Sequence, residues 1–379
     1  DPWIIATAED LNAMGNESKG NKMFFAGEYF KQTADIDMKK YPKFEGICGL
    51  AKTKNNKHAY GFAGRYDGGG HVISNMTINR PMYYCVGLFG EISYYVDSVG
   101  VGAIVHDVHL DSSCKIIGKG QVGGIVGFLF GGQYSTTSVY NCTSGASVFG
   151  THKVGGIVGD IMRSDQNYQG ANLSVWHCLN YGSVTKAKAL EDAAGVVGNI
   201  SSGGQIIECM NLGTINAPQT IEVGGVTGFY GPLGQFISGA VNCVNYGYVH
   251  GARSTGGVVG LVRTGHLADF KHGSFLLHCL NVGAVTSNDP YVGNIVGKTY
   301  GANLANSGTK KMLSVGNVYD KQEYTLRPIA TTTEDSIKDV GCETYYGGVN
   351  AQTTKSLVSG EVIDGLERGE PSLDELLSD

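Results

Sequence analysis

Short apolar runs that begin and end near glycine recur along most of the chain. The hexapeptide VGGIVG at 122–127 is repeated letter for letter at 154–159, and close variants stand at 193–198, 223–228, 255–260 and 292–297. A shorter form, VGLFG, precedes them at 86–90. A pattern that returns about every 30 residues is typical of a solenoid, in which each repeat forms one coil. The glycines predict where each coil turns or where backbone packs closely on backbone.

A second repeated motif lies between the hexapeptides and is centred on a cysteine. It reads NCTSGASV at 141–148, HCLNYGSV at 177–184, ECMNLGTI at 208–215, NCVNYGYV at 242–249 and HCLNVGAV at 278–285. The recurring residues stand at even offsets from the cysteine, from two residues before it to six residues after it. Because alternate residues of a strand face the same side, this spacing predicts one extended strand per coil with all these positions on one face.

Equivalent strands of successive coils should pair in parallel, about 4.8 Å apart, and place identical residues in ladders along the solenoid. The chain is therefore predicted to be an all-β protein with the architecture of a parallel β-helix. The predicted cysteine ladder consists of Cys142, Cys178, Cys209, Cys243 and Cys279. The predicted asparagine ladder consists of Asn180, Asn211, Asn245 and Asn281.

Both ends of such an array need a cap, because an end coil exposes unpaired strands. Near the N-terminus, Thr7 and Asp10 have the spacing of a capping box at the start of a short helix. We expect a single β-helix domain over 1–321, with its N-terminal helical cap within 1–30. The segment 322–379 is expected to form a C-terminal cap packed on the last coils.

Composition excludes several classes of protein. Glycine accounts for 58 of 379 residues and charged residues for 16%, which argues against a disordered chain. The net charge of −6, without a block of lysine or arginine, argues against nucleic acid as a partner. Five of the nine cysteines follow the repeat, and nine is an odd number, so we expect free buried thiols rather than a disulfide framework.

No cofactor and no metal ion are expected from the motifs. GKGQVG at 118–123 matches the dinucleotide fingerprint, but no helix pattern follows it. The His-Cys pairs at 177–178 and 278–279 point to opposite faces of a strand and cannot chelate one metal ion. For the same reason nothing is inferred from HDVH at 106–109.

Two acidic stretches near the N-terminus have both a chemical and a structural interpretation. Asp35 and Asp37 suit a glycosidase pair or a calcium site, and equally suit carboxylates that accept backbone N–H groups at a turn. Arg65, Asp67 and His71, in RYDGGGH, suit a catalytic cluster or a glycine turn capped by Asp67. The structural interpretation is favoured for both.

The motifs resemble those of the GLUG proteins, bacterial surface proteins abundant in gut Bacteroidetes. Besides the hexapeptides, the similar segments are WIIATAEDL at 3–11, TADIDM at 33–38, FAGRYDGGGHVISNMTI at 62–78 and SVGNVYDKQ at 314–322. The resemblance implies a right-handed parallel β-helix outside the cytoplasm, often lipid-anchored, with an adhesin or glycan-related role. On this basis we expect an extracellular or outer-membrane location, with the signal segment removed and any lipid anchor outside the given chain.

The favoured function is binding of a carbohydrate or a surface protein by a monomer, through loops that vary in length between coils. These loops span roughly 129–138, 161–174, 230–239 and 263–274. Tyrosine rings cover the apolar face of a sugar well, and the candidate ligand-binding residues are Tyr134, Tyr168, Tyr230, Phe236, His266 and Asp269.

Two alternatives remain open. One is a polysaccharide lyase or glycoside hydrolase on the same scaffold, with Arg163, Asp160 and Asp165 as its catalytic candidates. The other is a structural spacer at the cell surface, without a ligand of its own.

Overall fold

The chain folds as a parallel β-helix, as its repeats predict. The computed structural model describes the residues that follow: 1–19, 25–48, 61–93, 102–132, 135–163, 172–187, 191–231, 238–264, 274–288 and 292–301, with further strands between 312 and 345. All strand pairs within this part of the chain are parallel and join successive coils.

The strands line up in four sheets, here called A to D. The first part of the chain contains β1 (Trp3–Ile5), α1 (Ala8–Glu17), β2 (Tyr29–Gln32), β3 (Ile36–Asp37), β4 (Arg65–Asp67), β5 (Val72–Ser74), β6 (Thr77–Val86), β7 (Phe89–Ile92), β8 (Ile104–His106), β9 (His109–Leu110), β10 (Lys115–Gly123) and β11 (Val126–Gly131). The middle coils contain β12 (Thr136–Tyr140), β13 (Thr143–Ser144), β14 (Ser147–Gly150), β15 (Val154–Gly155), β16 (Val158–Arg163), β17 (Asn172–Trp176), β18 (Leu179–Asn180), β19 (Val184–Lys186), β20 (Asp192–Ala194), β21 (Val197–Ile200), β22 (Gln205–Ile207), β23 (Met210–Asn211), β24 (Ile215–Ala217), β25 (Glu222–Gly224) and β26 (Thr227–Tyr230). The last coils contain β27 (Ser238–Val241), β28 (Val244–Asn245), β29 (Val249–Gly251), β30 (Thr255–Gly256), β31 (Val259–Thr264), β32 (Ser274–Leu277), β33 (Leu280–Asn281), β34 (Val285–Ser287), β35 (Val292–Gly293), β36 (Val296–Gly301), β37 (Met312–Val315), β38 (Val318–Asp320), β39 (Ile337–Val340) and β40 (Glu343–Tyr345).

Each middle coil visits the sheets in one order. Its first strand, such as β17, joins sheet A, and its short second strand, such as β18, joins sheet C. The next two strands, such as β19 and β20, both join sheet D, and the last, such as β21, joins sheet B. The hexapeptide forms the turn from sheet D into sheet B.

The recurring positions of the cysteine-centred motif fall on parts of three strands, such as β17, β18 and β19, and not on the single strand that their even spacing predicts. The residue before each cysteine has a φ of 50° to 52°, at the positions that follow: Asn141, His177, Glu208, Asn242 and His278. A left-handed residue bends the chain there and reverses the alternation of faces. The position two residues before the cysteine therefore faces outward, while Val139 and Val175, three residues before it, are fully buried.

The cysteines and asparagines of the motif line the interior. The five cysteines named above are at most 2% exposed, and each of the eight described cysteines is a buried thiol. Burial raises the pKa of the Cys142 and Cys209 thiols well above the usual value, which keeps them protonated.

The asparagine side chains form a continuous chain of hydrogen bonds. The Nδ2 of Asn180 donates to the Oδ1 of Asn211, Asn211 to Asn245, and Asn245 to Asn281, each at 2.8 Å. Each amide also bonds the glycine two residues ahead, and the Nδ2 of Asn211, for instance, donates to the Gly213 carbonyl at 3.0 Å. Buried amides with all partners present hold adjacent coils in one register.

The N-terminal end of the array is covered by α1, as predicted. Thr7 is the N-cap and forms a capping box with Asp10, while Leu11 and Met14 of the helix are buried. At the other end, β39 and β40 extend sheets A and C by one more strand each. The domain limits of 1–321 and 322–379 stay a prediction.

Candidate functional site

The residues predicted to bind a ligand do not come together in the described part of the chain. Tyr230 belongs to β26 and is fully buried, so the prediction that it contacts a ligand from a corner loop is wrong. The alternation of β26 turns this ring into the core, where it lies with Val262 in the register of sheet B. The other predicted binding residues, Tyr134, Tyr168, Phe236, His266 and Asp269, lie outside the described residues.

The predicted catalytic cluster is also not an open site. Asp160 is 1% exposed and forms an ion pair with Lys153 at 2.7 Å between Nζ and Oδ2. Its other carboxylate oxygen accepts from Ser201 at 2.9 Å. Asp160 is therefore a structural carboxylate and not an accessible base. Arg163 is half-buried three residues along the same strand, on the opposite face, and Asp165 lies outside the described residues.

Lys153 and Asp160 belong to two columns of residues that flank the hexapeptides along the solenoid and are here together called the seam. The residue before each hexapeptide faces the residue after it across the turn. The first column contains Gln121, Lys153, Asp192, Glu222 and Ser254, and the second contains Phe128, Asp160, Asn199, Phe229, Leu261 and Lys298.

Burial controls the ionisation of this seam. The pKa of Asp192 is raised well above its usual value by burial and by the neighbouring Glu222 carboxylate. Burial alone would lower the pKa of Lys153, but the charge and the hydrogen bond of Asp160, together with the neighbouring carboxylates, raise it overall. Lys153 therefore stays charged in its ion pair, while Asp192 retains a proton beside Glu222.

The seam opens into a cleft at its C-terminal end. This cleft has a volume of about 360 Å³ and is lined by Ile221, Glu222, Phe229, Arg253, Ser254, Leu261, Arg263 and Lys298. Apolar side chains form its floor, with Phe229 partly exposed and Leu261 9% exposed. Three cationic side chains and one carboxylate surround this floor, in a protein whose net charge is −6.

A second group of ionisable residues lies on the outer face of sheet A and is here called the His106 cluster: Tyr29, Lys31, Arg65, Asp67, His106 and Asp107. The Nδ1 of His106 lies 2.6 Å from Asp107 Oδ2 and 3.8 Å from Asp67 Oδ1. Its Nε2 accepts from Arg65 Nε at 3.4 Å.

Asp67 is held on several sides within this cluster. Its Oδ1 accepts from Gly69 N at 2.8 Å, and its Oδ2 accepts from Tyr29 at 3.1 Å and lies 3.6 Å from Lys31 Nζ. Burial alone would raise the pKa of Asp67, but these hydrogen bonds and the nearby charges lower it. Asp67 is therefore an ionised carboxylate on a partly buried surface.

Three stacked rings extend the cluster across the next coils. The ring of His106 stacks on Tyr140 at 4.8 Å between centroids, and Tyr140 stacks on Trp176 at 4.3 Å. All three residues stand two positions before the motif cysteine or its equivalent, on the outward side of the left-handed corner. Sequence reasoning missed this cluster because it placed these positions on the inner face and set HDVH aside.

The structural interpretation of the two N-terminal acidic stretches is confirmed. Asp35 accepts from Val72 N, and Asp37 accepts from Lys39 N, each at 2.9 Å. Asp67 caps the glycine turn through Gly69, as predicted, while also belonging to the His106 cluster. His71 lies apart from that cluster and 3.5 Å from Asp35.

Comparison with known proteins supports the fold. A stretch of 163 residues, 42% of this chain, is 31% identical to halomucin of Haloquadratum walsbyi (strain DSM 16790 / HBSQ001) and spans 2% of halomucin's length. The chain also superposes on a Bacteroides ovatus protein, provisionally named an immunoglobulin A1 protease, with a TM-score of 0.51 and 16% identity. That match covers 95% of this chain and 87% of the other, and at this identity it shows the fold alone.

No protein-family profile matches the chain, so the resemblance to GLUG proteins rests on the quoted motifs alone. Within the described residues, no helix combines the length and apolar character needed to cross a membrane.

Proposed function

We propose that this chain is an extracellular β-helix binding protein, and that the cleft at Phe229 binds an acidic glycan. The observation that carries this proposal is the placement of Arg253, Arg263 and Lys298 around an apolar floor. Aromatic rings cover the C–H face of a pyranose, and arginine bonds carboxylates and sulfates with two parallel N–H groups.

Charge makes the ligand class more specific. Three cations against the single carboxylate of Glu222 give this cleft a positive balance on a chain of net charge −6. A uronate or sulfated sugar would bring its acidic groups to these three cations, whereas a neutral sugar has no charged group to offer them. The preferred ligand is therefore a polymer that repeats an acidic sugar.

The position of the cleft also links it to the loops predicted to bind a ligand. The floor residue Phe229 lies near the end of β26, and Arg263 near the end of β31. In the sequence, Phe236 follows β26 closely, while His266 and Asp269 follow β31. We propose that these loop residues extend the same binding site.

The extracellular location is part of the proposal. The sequence motifs support this location through their resemblance to bacterial surface proteins.

The test is a glycan-array screen of the purified chain, followed by calorimetric titration with the acidic oligosaccharides that bind. Replacing Arg263 and Lys298 together by glutamine should weaken binding at least about tenfold, the loss expected for one or more charge-assisted hydrogen bonds. The matched control is Lys115→Gln, which removes an exposed cation on another face and should leave affinity unchanged.

Other outcomes point to other functions. Unsaturated products from a bound uronate polymer would favour a lyase, and binding to neutral sugars alone would contradict the charge argument. Absence of any glycan ligand would favour a protein partner or a structural spacer.

A further inference from the structure

The fold brings together three side chains of the kinds that bind divalent cations, on the outer face of sheet A. Asp67, His106 and Asp107 each offer one ligand atom, and these atoms lie within 4.8 Å of one another. Asp67 ends β4, while His106 ends β8 on the next coil and Asp107 follows it. Their meeting depends on the register between coils, in which Asp67 pairs with His106.

We propose that Asp67, His106 and Asp107 bind a first-row divalent cation, with Zn²⁺ as the best match. The donor set is one imidazole nitrogen and two carboxylate oxygens, which suits Zn²⁺, whereas Ca²⁺ and Mg²⁺ take oxygen ligands. Three protein ligands leave one position of a tetrahedral site open. The side chain of Asp107 is 37% exposed, so a cation can reach these ligands from solvent.

Two of the three ligands are already fixed in orientation. The His106 ring is 7% exposed and stacks on Tyr140 with an angle of 4° between the ring planes. Asp67 is held through the Gly69 N–H and the Tyr29 hydroxyl. Ligand orientation by such neighbours is a general feature of metal sites.

The third ligand has room to adjust. Two ligand atoms that each lie about 2.0–2.1 Å from a tetrahedral ion are roughly 3.3 Å apart. The present separation between His106 Nδ1 and Asp107 Oδ2 is 2.6 Å, so the more exposed Asp107 has to withdraw slightly. The separation between His106 Nδ1 and Asp67 Oδ1, 3.8 Å, has to close by a similar amount.

Metal binding has a defined consequence for Arg65. With Nε2 accepting from Arg65, the imidazole proton stands on Nδ1 and points at Asp107. A cation on Nδ1 moves that proton to Nε2, where it faces the Arg65 donor, so the exposed Arg65 side chain must turn away. Arg65 therefore opposes the cation, and Arg65→Met should tighten binding.

A related pair on the same corner column serves as a matched control. His177 and Glu208 form an imidazole–carboxylate contact between adjacent coils. Among the described residues, the group of three close ligand atoms is found at His106, and no third ligand joins His177 and Glu208. His177→Gln should therefore leave Zn²⁺ binding unchanged.

The test is calorimetric titration of the chelator-treated full chain with Zn²⁺, and with Co²⁺ followed by its absorption spectrum. We expect one equivalent of Zn²⁺ in the wild type. His106→Gln and Asp107→Asn should each weaken binding by about 100-fold or more, because even loss of a supporting partner costs roughly 10- to 100-fold. Circular dichroism of each variant checks that the β-helix is intact.

Three results would overturn the proposal. One is absence of binding by the wild type at about millimolar Zn²⁺, the weak limit of specific affinity. Another is undiminished binding in a folded His106→Gln or Asp107→Asn variant. The third is sulfur-to-cobalt charge-transfer absorption, which would assign the ion to the cysteines.

Discussion

A Cβ atom added to Gly195 would lie 2.2 Å from the Cγ atom of Asn211. Gly195 is the third residue of the hexapeptide at 193–198, where VGGIVG has its second glycine, and Asn211 belongs to the cysteine-centred motif of the next coil. The same relationship joins Gly156 to Asn180 at 2.4 Å and Gly225 to Asn245 at 2.3 Å. The two repeated motifs are therefore halves of one packing unit, in which the glycine makes room for the buried amide.

This relationship predicts that Gly195→Ala strongly destabilises the β-helix. The new methyl group would also approach the Gly225 carbonyl oxygen at 2.4 Å, so both a side chain and the backbone of another coil would have to move. We expect a loss of about 3 kcal/mol or more in the free energy of unfolding, in the range of severe overpacking. Urea denaturation measures it, with Thr214→Ala at an exposed position as the control.

The asparagine ladder gives a second prediction. Asn211 accepts from Asn180 Nδ2 and Gly213 N and donates to Asn245 Oδ1 and the Gly213 carbonyl. Replacement by leucine removes one hydrogen bond from each of these buried groups, at about 0.5–1.5 kcal/mol for each bond. Asn211→Leu should therefore unfold at much lower denaturant concentration.

The exposed Asn216, five residues along the chain, provides the matched control. Asn216→Leu should change stability by at most about 0.5 kcal/mol, as surface substitutions do. Equal losses of stability in the two variants would contradict the proposed contribution of the asparagine ladder to the free energy of unfolding.

Both predictions rest on features that the sequence shows. The repeat period, the parallel pairing and the identity of the interior cysteines and asparagines follow from spacing alone. The left-handed corner does not, because only some of its residues favour positive φ: Asn141 does, whereas Glu208 does not. The prediction that the position two residues before each cysteine shares the face of the cysteine is therefore wrong.

The candidate sites were less predictable for a different reason. Asp67 and His106 meet because β4 and β8 pair in one register, and the number of residues between paired strands varies from coil to coil. The cleft at Phe229 likewise joins side chains of several coils, so no single stretch of sequence contains either site.

Glu91 gives a prediction about pH. It is 6% exposed, its Oε1 has no hydrogen-bond partner, and burial raises its pKa from 4.5 to about 8. The folded protein therefore holds a proton that the unfolded chain releases as the pH rises through this window. Stability should fall by about 1.4 kcal/mol per pH unit between these two pKa values and then level off.

Glu91→Gln replaces this carboxyl by a neutral side chain of similar shape and should remove its contribution to the pH dependence. Guanidinium denaturation at about pH 5 and about pH 8.5 measures the difference for the wild type and the variant. Glu17→Gln, at an exposed position, is the control. An unchanged slope in Glu91→Gln would show that Glu91 ionises normally in the folded protein.

Gly231 offers a way to test the cleft without removing any of its charges. A Cβ atom at this position would lie 2.8 Å from Phe229 Cζ and 2.9 Å from Arg263 Cβ. The Phe229 ring is partly exposed and can turn, so Gly231→Ala should fold while pressing this ring into the cleft. We expect affinity for an acidic oligosaccharide to fall at least about tenfold, the equivalent of 1.4 kcal/mol.

The free energy of unfolding of Gly231→Ala should stay within about 1 kcal/mol of the wild-type value. Zn²⁺ binding at His106 should not change, because the His106 cluster lies on another sheet. Loss of glycan affinity together with retained Zn²⁺ binding would separate a blocked cleft from a damaged fold. Full glycan affinity in this variant would show that the sugar contacts another surface.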